Sequence, residues 1–240
     1  MTSTNLQQAM LLHCKPYREN SYIGDFISAE HGRVSVFFRK PKSGPAMGLF
    51  NLYLLTLTPG QNDLFFVKGY ELEQSFDGLQ GHYLFSAMYV NELLSYLLPK
   101  AEVDSSFFYL YRNTIAAIYK CQQDNSGENT NELEILLRCL ELDLIAELGV
   151  MPDFLHTADD HSRIEPSKTY CFAPESGWLK QTNSPSNMCL SGNLIEKIAA
   201  KQFAEKGELR AIKQFMRCWL DHLLGHKKLK SRALFSQPKL

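Results

Sequence analysis

At 240 residues, 45% of them apolar, the chain can bury a sizeable core, either as one large domain or as a small module beside a larger one. No stretch approaches the ~18 unbroken apolar residues of a membrane span, because Lys15, Arg18, Glu19 and Asp25 interrupt the start and Asn91 and Glu92 the most apolar helix. The Leu11-Leu12 patch is too short for a secretory signal, so a cytoplasmic location is expected.

The net charge of −1 hides an asymmetry: residues 1–43 carry +3, residues 44–196 carry −12 and residues 197–240 carry +8. Two basic ends that converged in space would present a positive surface to an anionic polymer; a solvated helix surface accounts for the count equally well. The six cysteines never form a CxxC pair and mostly sit beside apolar residues, which reads as free buried thiols in a reducing compartment.

The first 80 residues read as short strands. Gln8 to His13 precedes Pro16, Ser21 to Ser28 alternates apolar and polar positions, and Arg33 to Arg39 follows a Glu30-His31-Gly32 hairpin turn. A Gly/Pro-rich loop at 40–48 leads to Leu49–Thr58, a Pro59-Gly60 turn and Leu64–Tyr70. Five short strands in this length predict a small barrel, the economical way to remove sheet edges; an SH3-like barrel gives the same signal.

From His82 the period becomes helical, and Pro99 ends the first helix. A second helix is expected at about Asp104–Cys121, and a third at Asn131–Leu148, stopped by Gly149. Residues 151–190 gain prolines and read as an insertion with a small hairpin, Tyr170–Phe172 and Gly177–Lys180. Ser191 is placed to cap a short helix through Phe203, and Glu208–Leu224 forms a long basic amphipathic helix closed by Gly225. The expected fold class is α+β, with a barrel at 1–80 and a mainly helical domain at 81–240 that carries the insertion at about 151–190.

No catalytic centre can be assembled. The glycines form neither GxGxxG nor GxxxxGK, and Ser176 and Ser191 neighbour glycines outside any GxSxG elbow. His156, Asp159, Asp160 and His161 lie close together, with Cys171 and Cys189 downstream, yet their spacing is not that of a zinc knuckle. No metal, cofactor or enzyme activity is expected.

Two basic stretches stand out. Arg33, Arg39, Lys40 and Lys42 lie where a small barrel lays nucleic acid across its face, with Phe37 or Phe38 available for stacking and the other of the two facing inward. At the carboxy end, Lys227, Lys228, Lys230 and Arg232 suit phosphates or an acidic peptide, and the interleaved Leu229, Leu234 and Phe235 suggest a segment packed back onto helices.

These stretches resemble the RecO family of bacterial recombination mediators. His13-Cys14-Lys15-Pro16-Tyr17-Arg18-Glu19-Asn20-Ser21 and Glu30-His31-Gly32-Arg33-Val34 are similar to the family's "RPYxExS" and "xxGRV". Tyr89-Val90-Asn91-Glu92-Leu93-Leu94 resembles "YxNELL", and Leu224 to Phe235 is close to "LGxKPLKSRxLF". The resemblance implies an amino-terminal OB-fold and a helical domain. It also implies a non-enzymatic role: binding single- and double-stranded DNA, annealing complementary strands, engaging the acidic tail of single-stranded-DNA-binding protein, and acting with RecR to load RecA.

Carried onto this chain, the DNA-binding set is Arg33, Arg39, Lys40, Lys42, Lys227, Lys228 and Lys230, and the peptide-binding set is Lys227, Lys230 and Arg232. The family's "AKGxRxxxS" loop departs here to Phe38-Arg39-Lys40-Pro41-Lys42-Ser43, and Lys228 replaces a proline. Many members hold zinc with four cysteines, where this chain keeps Cys171 and Cys189, which places it in a metal-free branch. An adaptor that grips acidic peptides without touching DNA is the alternative, and the two differ in salt response.

Overall fold

A computed structural model describes residues 6–41, 46–100, 104–124, 130–180 and 188–236. They form two compact units, one from the described residues of 1–126 and 229–240, the other from those of 127–228. Helices α1 and α2 thus belong with the barrel, and the boundary between units falls near residue 126.

In the first unit, β1 (Leu6–Arg18), β2 (Ser21–Ser28), β3 (Gly32–Arg39), β4 (Leu52–Pro59) and β5 (Leu64–Gln74) close a barrel in the order β1-β2-β3-β5-β4. β3 pairs β5 in parallel and the other contacts are antiparallel. Period-2 alternation fills the barrel: Ala9 and Leu11, Phe26, Val34, Val36 and Phe38, and Tyr53 and Leu55 point inward. Gly32 takes φ 60° in the β2–β3 turn, where Ser28 Oγ accepts from the Glu30 and His31 amides.

β1 does not stop before Pro16 as the sequence suggested. Its pairing with β4 ends at Met10, while Pro16 pairs only with Tyr22 of β2, so the missing N–H leaves no neighbour unsatisfied on the β4 side.

α1 (Gly81–Leu97) and α2 (Ser105–Asp124) pack on this barrel. Asn91, buried in α1, donates to Leu12 O of β1 at 2.9 Å and accepts from Tyr111 Oη of α2 at 2.6 Å. One side chain therefore ties three elements together, and burial pushes the Tyr111 phenol pKa up and keeps it a donor.

The second unit comprises α3 (Thr130–Glu147), a three-stranded sheet of β6 (Thr169–Ala173), β7 (Gly177–Lys180) and β8 (Cys189–Ser191) in the order β7-β6-β8, α4 (Gly192–Ala199) and α5 (Lys206–Leu224). Ser191 caps α4 by accepting from Leu194 N, and Gly149 (φ 71°) and Gly225 (φ 59°) end α3 and α5. Phe172 joins sheet to helix, its ring 4.9 Å from Phe215, 5.0 Å from Trp219 and 5.0 Å from Trp178. Among the described residues no helix is long and apolar enough to cross a membrane.

Candidate nucleic-acid interface

Adjacent strand residues face opposite ways, so only one ring of the Phe37-Phe38 doublet can enter the barrel. Phe38 does, stacked on Tyr22 at 5.5 Å, and Phe37 faces outward. The parallel register sets Phe37 opposite Phe66 of β5, with ring centroids 5.5 Å apart. Tyr17, near the end of β1, meets Phe37 edge-on at 6.1 Å. Tyr17 is 45% exposed and Phe66 38%.

Three outward rings thus form a path from the β1–β2 turn to the β4–β5 turn, the face and loops through which five-stranded barrels of this order take oligonucleotides. The β4–β5 turn is tight. Leu64 N bonds Gln61 O at 3.3 Å, and Asn62 and Asp63 both take left-handed φ, at 55° and 56°. Gly60 lets Phe66 lie against the turn, since a Cβ there would come within 2.2 Å of the ring and 2.5 Å of Leu64 O.

Cations flank the path. The Arg18 guanidinium sits 5.3 Å from the Tyr17 ring centre. Exposed Arg39, Lys40 and Lys68, with Phe37, Phe66 and Tyr70, line an open groove of about 1160 Å³. Arg39 and Lys40, both expected as cations of the barrel face, line this groove, while Lys42 lies outside the described residues. Tyr17, Phe66 and Lys68 were not anticipated. The Phe65-Phe66 doublet carried the same signal as Phe37-Phe38 and would have pointed to Phe66.

Arg33 is a correction. It is buried, and its guanidinium donates to Asp25 Oδ2 at 2.8 Å and to the Ser95 and Leu98 carbonyls at 2.6 and 2.7 Å. These bonds tie β2 and β3 to the end of α1, so the planar fork is taken up within the fold. Burial alone would push the Asp25 carboxyl up, but Arg33, Ser35 and Lys100 outweigh it and hold the pKa below the usual carboxylate range.

At the carboxy end, Lys230–Ser236 is a 3₁₀ turn on α1. Leu229 is buried, and the Phe235 ring lies 6.3 Å from His82 and 6.0 Å from Phe85. The Lys230 side chain is exposed and Arg232 half-buried. Lys227 and Lys228, both exposed, belong to the second unit, just beyond α5.

Among the described residues no three His, Cys, Asp or Glu side chains gather as a metal site. Asp160 instead receives Lys180 Nζ at 2.5 Å and Thr157 Oγ1 at 2.8 Å. The assignment of all six cysteines as free thiols is corrected as well. Cys171 and Cys189 are joined in a disulfide at directly opposed positions of β6 and β8, whereas Cys14, Cys121, Cys139 and Cys218 form no disulfide. Facing side chains across a narrow antiparallel pair bring two sulfurs together without any sequence signature.

Comparison with known proteins agrees with the barrel-plus-helices architecture. The family model "Recombination protein O C terminal" matches residues 79–233. The DNA repair protein RecO of Tolumonas auensis is 36% identical over 241 residues, covering 98% of this chain and 97% of that one. The RecO proteins of Vibrio cholerae and Cellvibrio japonicus are each 32% identical, covering 99% and 97% of this chain and 96% and 97% of their own lengths. The chain belongs to the RecO family of DNA repair proteins.

Proposed function

We propose that the barrel face binds single-stranded DNA, and that the protein thereby acts as a non-catalytic recombination mediator. The observation that carries this is the Tyr17–Phe37–Phe66 path with its flanking Arg18, Arg39, Lys40 and Lys68. Unpaired bases stack on outward rings whatever their sequence, and the cations neutralise the phosphates between them. Family membership supports the finer steps we assign: annealing of complementary strands, binding of double-stranded DNA, engagement of the acidic tail of single-stranded-DNA-binding protein, and RecA loading with RecR. Lys230 and Arg232, on the turn held by α1, are the cations we assign to that tail in the first unit, arginine suiting a two-pronged carboxylate contact. Lys227 and Lys228, in the second unit, are assigned to DNA.

A titration of labelled single-stranded DNA at two salt concentrations, with and without an acidic peptide ending in Phe, tests the proposal. Tight binding that weakens steeply with salt supports it. Failure to bind DNA while the peptide still binds would replace it with the adaptor role.

A further inference from the structure

Helix α5 buries Leu209, Ile212, Phe215, Met216, Trp219 and Leu220 on one side. At about 100° per residue, Lys206, Arg210, Lys213 and Arg217 fall within an arc of roughly 60° beside that face, and all four are exposed. The rise of ~1.5 Å per residue makes this a straight row about 16 Å long, with a cation every ~4.5 to 6 Å.

The row works against the helix that carries it. Like charges spaced three and four apart on a helix repel. Lys206 also stands in the first turn, where the helix dipole favours an anion. Nearby carboxylates do little to cancel the charge. Glu208 is engaged by Lys197. Glu134 reaches Lys213 at 3.3 Å and Asp221 reaches Arg217 at 3.9 Å, both solvated pairs of the kind that contribute little and yield to a stronger anion.

We infer that Lys206, Arg210, Lys213 and Arg217 form a second nucleic-acid site, one that takes the phosphate backbone of duplex DNA. No large apolar side chain of α5 is exposed, so the row offers a peptide nothing in which to anchor and offers an unpaired base no ring on which to stack. What it offers is a line of charge, and a duplex, with one phosphate per ~1.7 Å of axis, is the denser partner. The inference rests on the reading that this protein works on DNA, and it is independent of the barrel face.

The test uses the full chain with Lys206, Arg210, Lys213 and Arg217 all replaced by glutamine, beside a Phe37→Ala/Phe66→Ala variant. Each is titrated with a short labelled duplex and a labelled single strand at two salt concentrations. The row variant is expected to bind duplex at least about tenfold more weakly at low salt, with the salt slope reduced by roughly two to four, and to lose less single-strand affinity. The aromatic variant is expected to show the opposite bias. A folded row variant with the parent's duplex affinity and slope overturns the inference, and so does one that loses only an acidic peptide. Retention of single-strand affinity by the aromatic variant would count against the barrel face alone. Should the fourfold variant fold poorly, Arg210→Gln, at an exposed mid-helix position, is expected to lower the slope by about one, and an unchanged slope there overturns the inference too.

Discussion

Glu92 Oε2 accepts two hydrogen bonds from Ser231, one from the amide at 2.8 Å and one from the hydroxyl at 2.6 Å, across 139 residues of sequence. Its other oxygen accepts from the Lys230 amide at 2.9 Å. A carboxylate on α1 thus receives the opening N–H groups of the terminal 3₁₀ turn, where unsatisfied donors and a partial positive charge favour an anion. The Asn91-Glu92 pair and the Lys230-Ser231 pair, each part of a segment resembling the RecO family, are two halves of one fastening.

Replacing Glu92 with glutamine is expected to cost about 1–2 kcal/mol at neutral pH, through the loss of hydrogen bonds to a charged acceptor. Burial alone would push this carboxyl up; the bonds from Ser231 and Lys230 outweigh it and hold its pKa below the ordinary 4.5. Because the folded value is the lower one, the contribution is fully present above about pH 4.5 and is lost as pH falls through the folded value. Thermal melts of parent and variant at neutral and acidic pH check this. The variant should lose less stability on acidification, keeping the shares that the other depressed carboxyls, Asp25, Asp153, Asp159, Asp160 and Glu208, supply.

Arg33→Ala is expected to cost about 2–4 kcal/mol, since it leaves Asp25 with Ser35 and the more distant Lys100 alone and frees two carbonyls at the end of α1. Arg33→Lys should rescue only part of this, because one ammonium cannot reproduce the planar fork. Urea denaturation measures the cost. Single-stranded DNA affinity of the folded variants should match the parent, and a loss of affinity at unchanged stability would restore Arg33 to the DNA-binding set.

On the barrel face, rings and cations should separate cleanly. Phe37→Ala and Phe66→Ala are each expected to weaken single-stranded DNA binding by about 1–3 kcal/mol per unstacked base, with the salt slope nearly unchanged. Arg39→Gln with Lys40→Gln should lower the slope by up to about two, by a similar factor for different sequences. Fluorescence titrations across a salt series would show whether the two classes behave alike, which would contradict the assignment.

Thiol titration of the unfolded protein is expected to count four groups before reduction and six after, the difference being Cys171 and Cys189. The bridge closes a loop of sequence separation 18, so its removal by Cys189→Ser is expected to cost about 3 kcal/mol. Six thiols without reductant would return the pair to the free state.

Much of the fold was legible because its punctuation is local. Gly32, Gly149 and Gly225 sit where the backbone takes positive φ, Ser191 caps the helix it precedes, and the change from period 2 to 3.6 marks the passage from β5 to α1. Such signals act over a few residues and survive in a one-dimensional reading. The sequence alone therefore determined that five barrel strands, the β6–β7 hairpin and the helices exist, while the full length of β1 and the strand β8 escaped it. The roles that depend on register were decided only by the tertiary structure. A basic residue at position 33 looks the same whether it meets phosphate or is enclosed by Asp25, Ser95 and Leu98, and Tyr17, Phe37 and Phe66 become one surface only when β3 and β5 pair in parallel. Cys171 and Cys189 likewise meet because β6 and β8 pair in a register that sets them face to face, and that register is fixed by packing across the sheet and by no spacing in the chain.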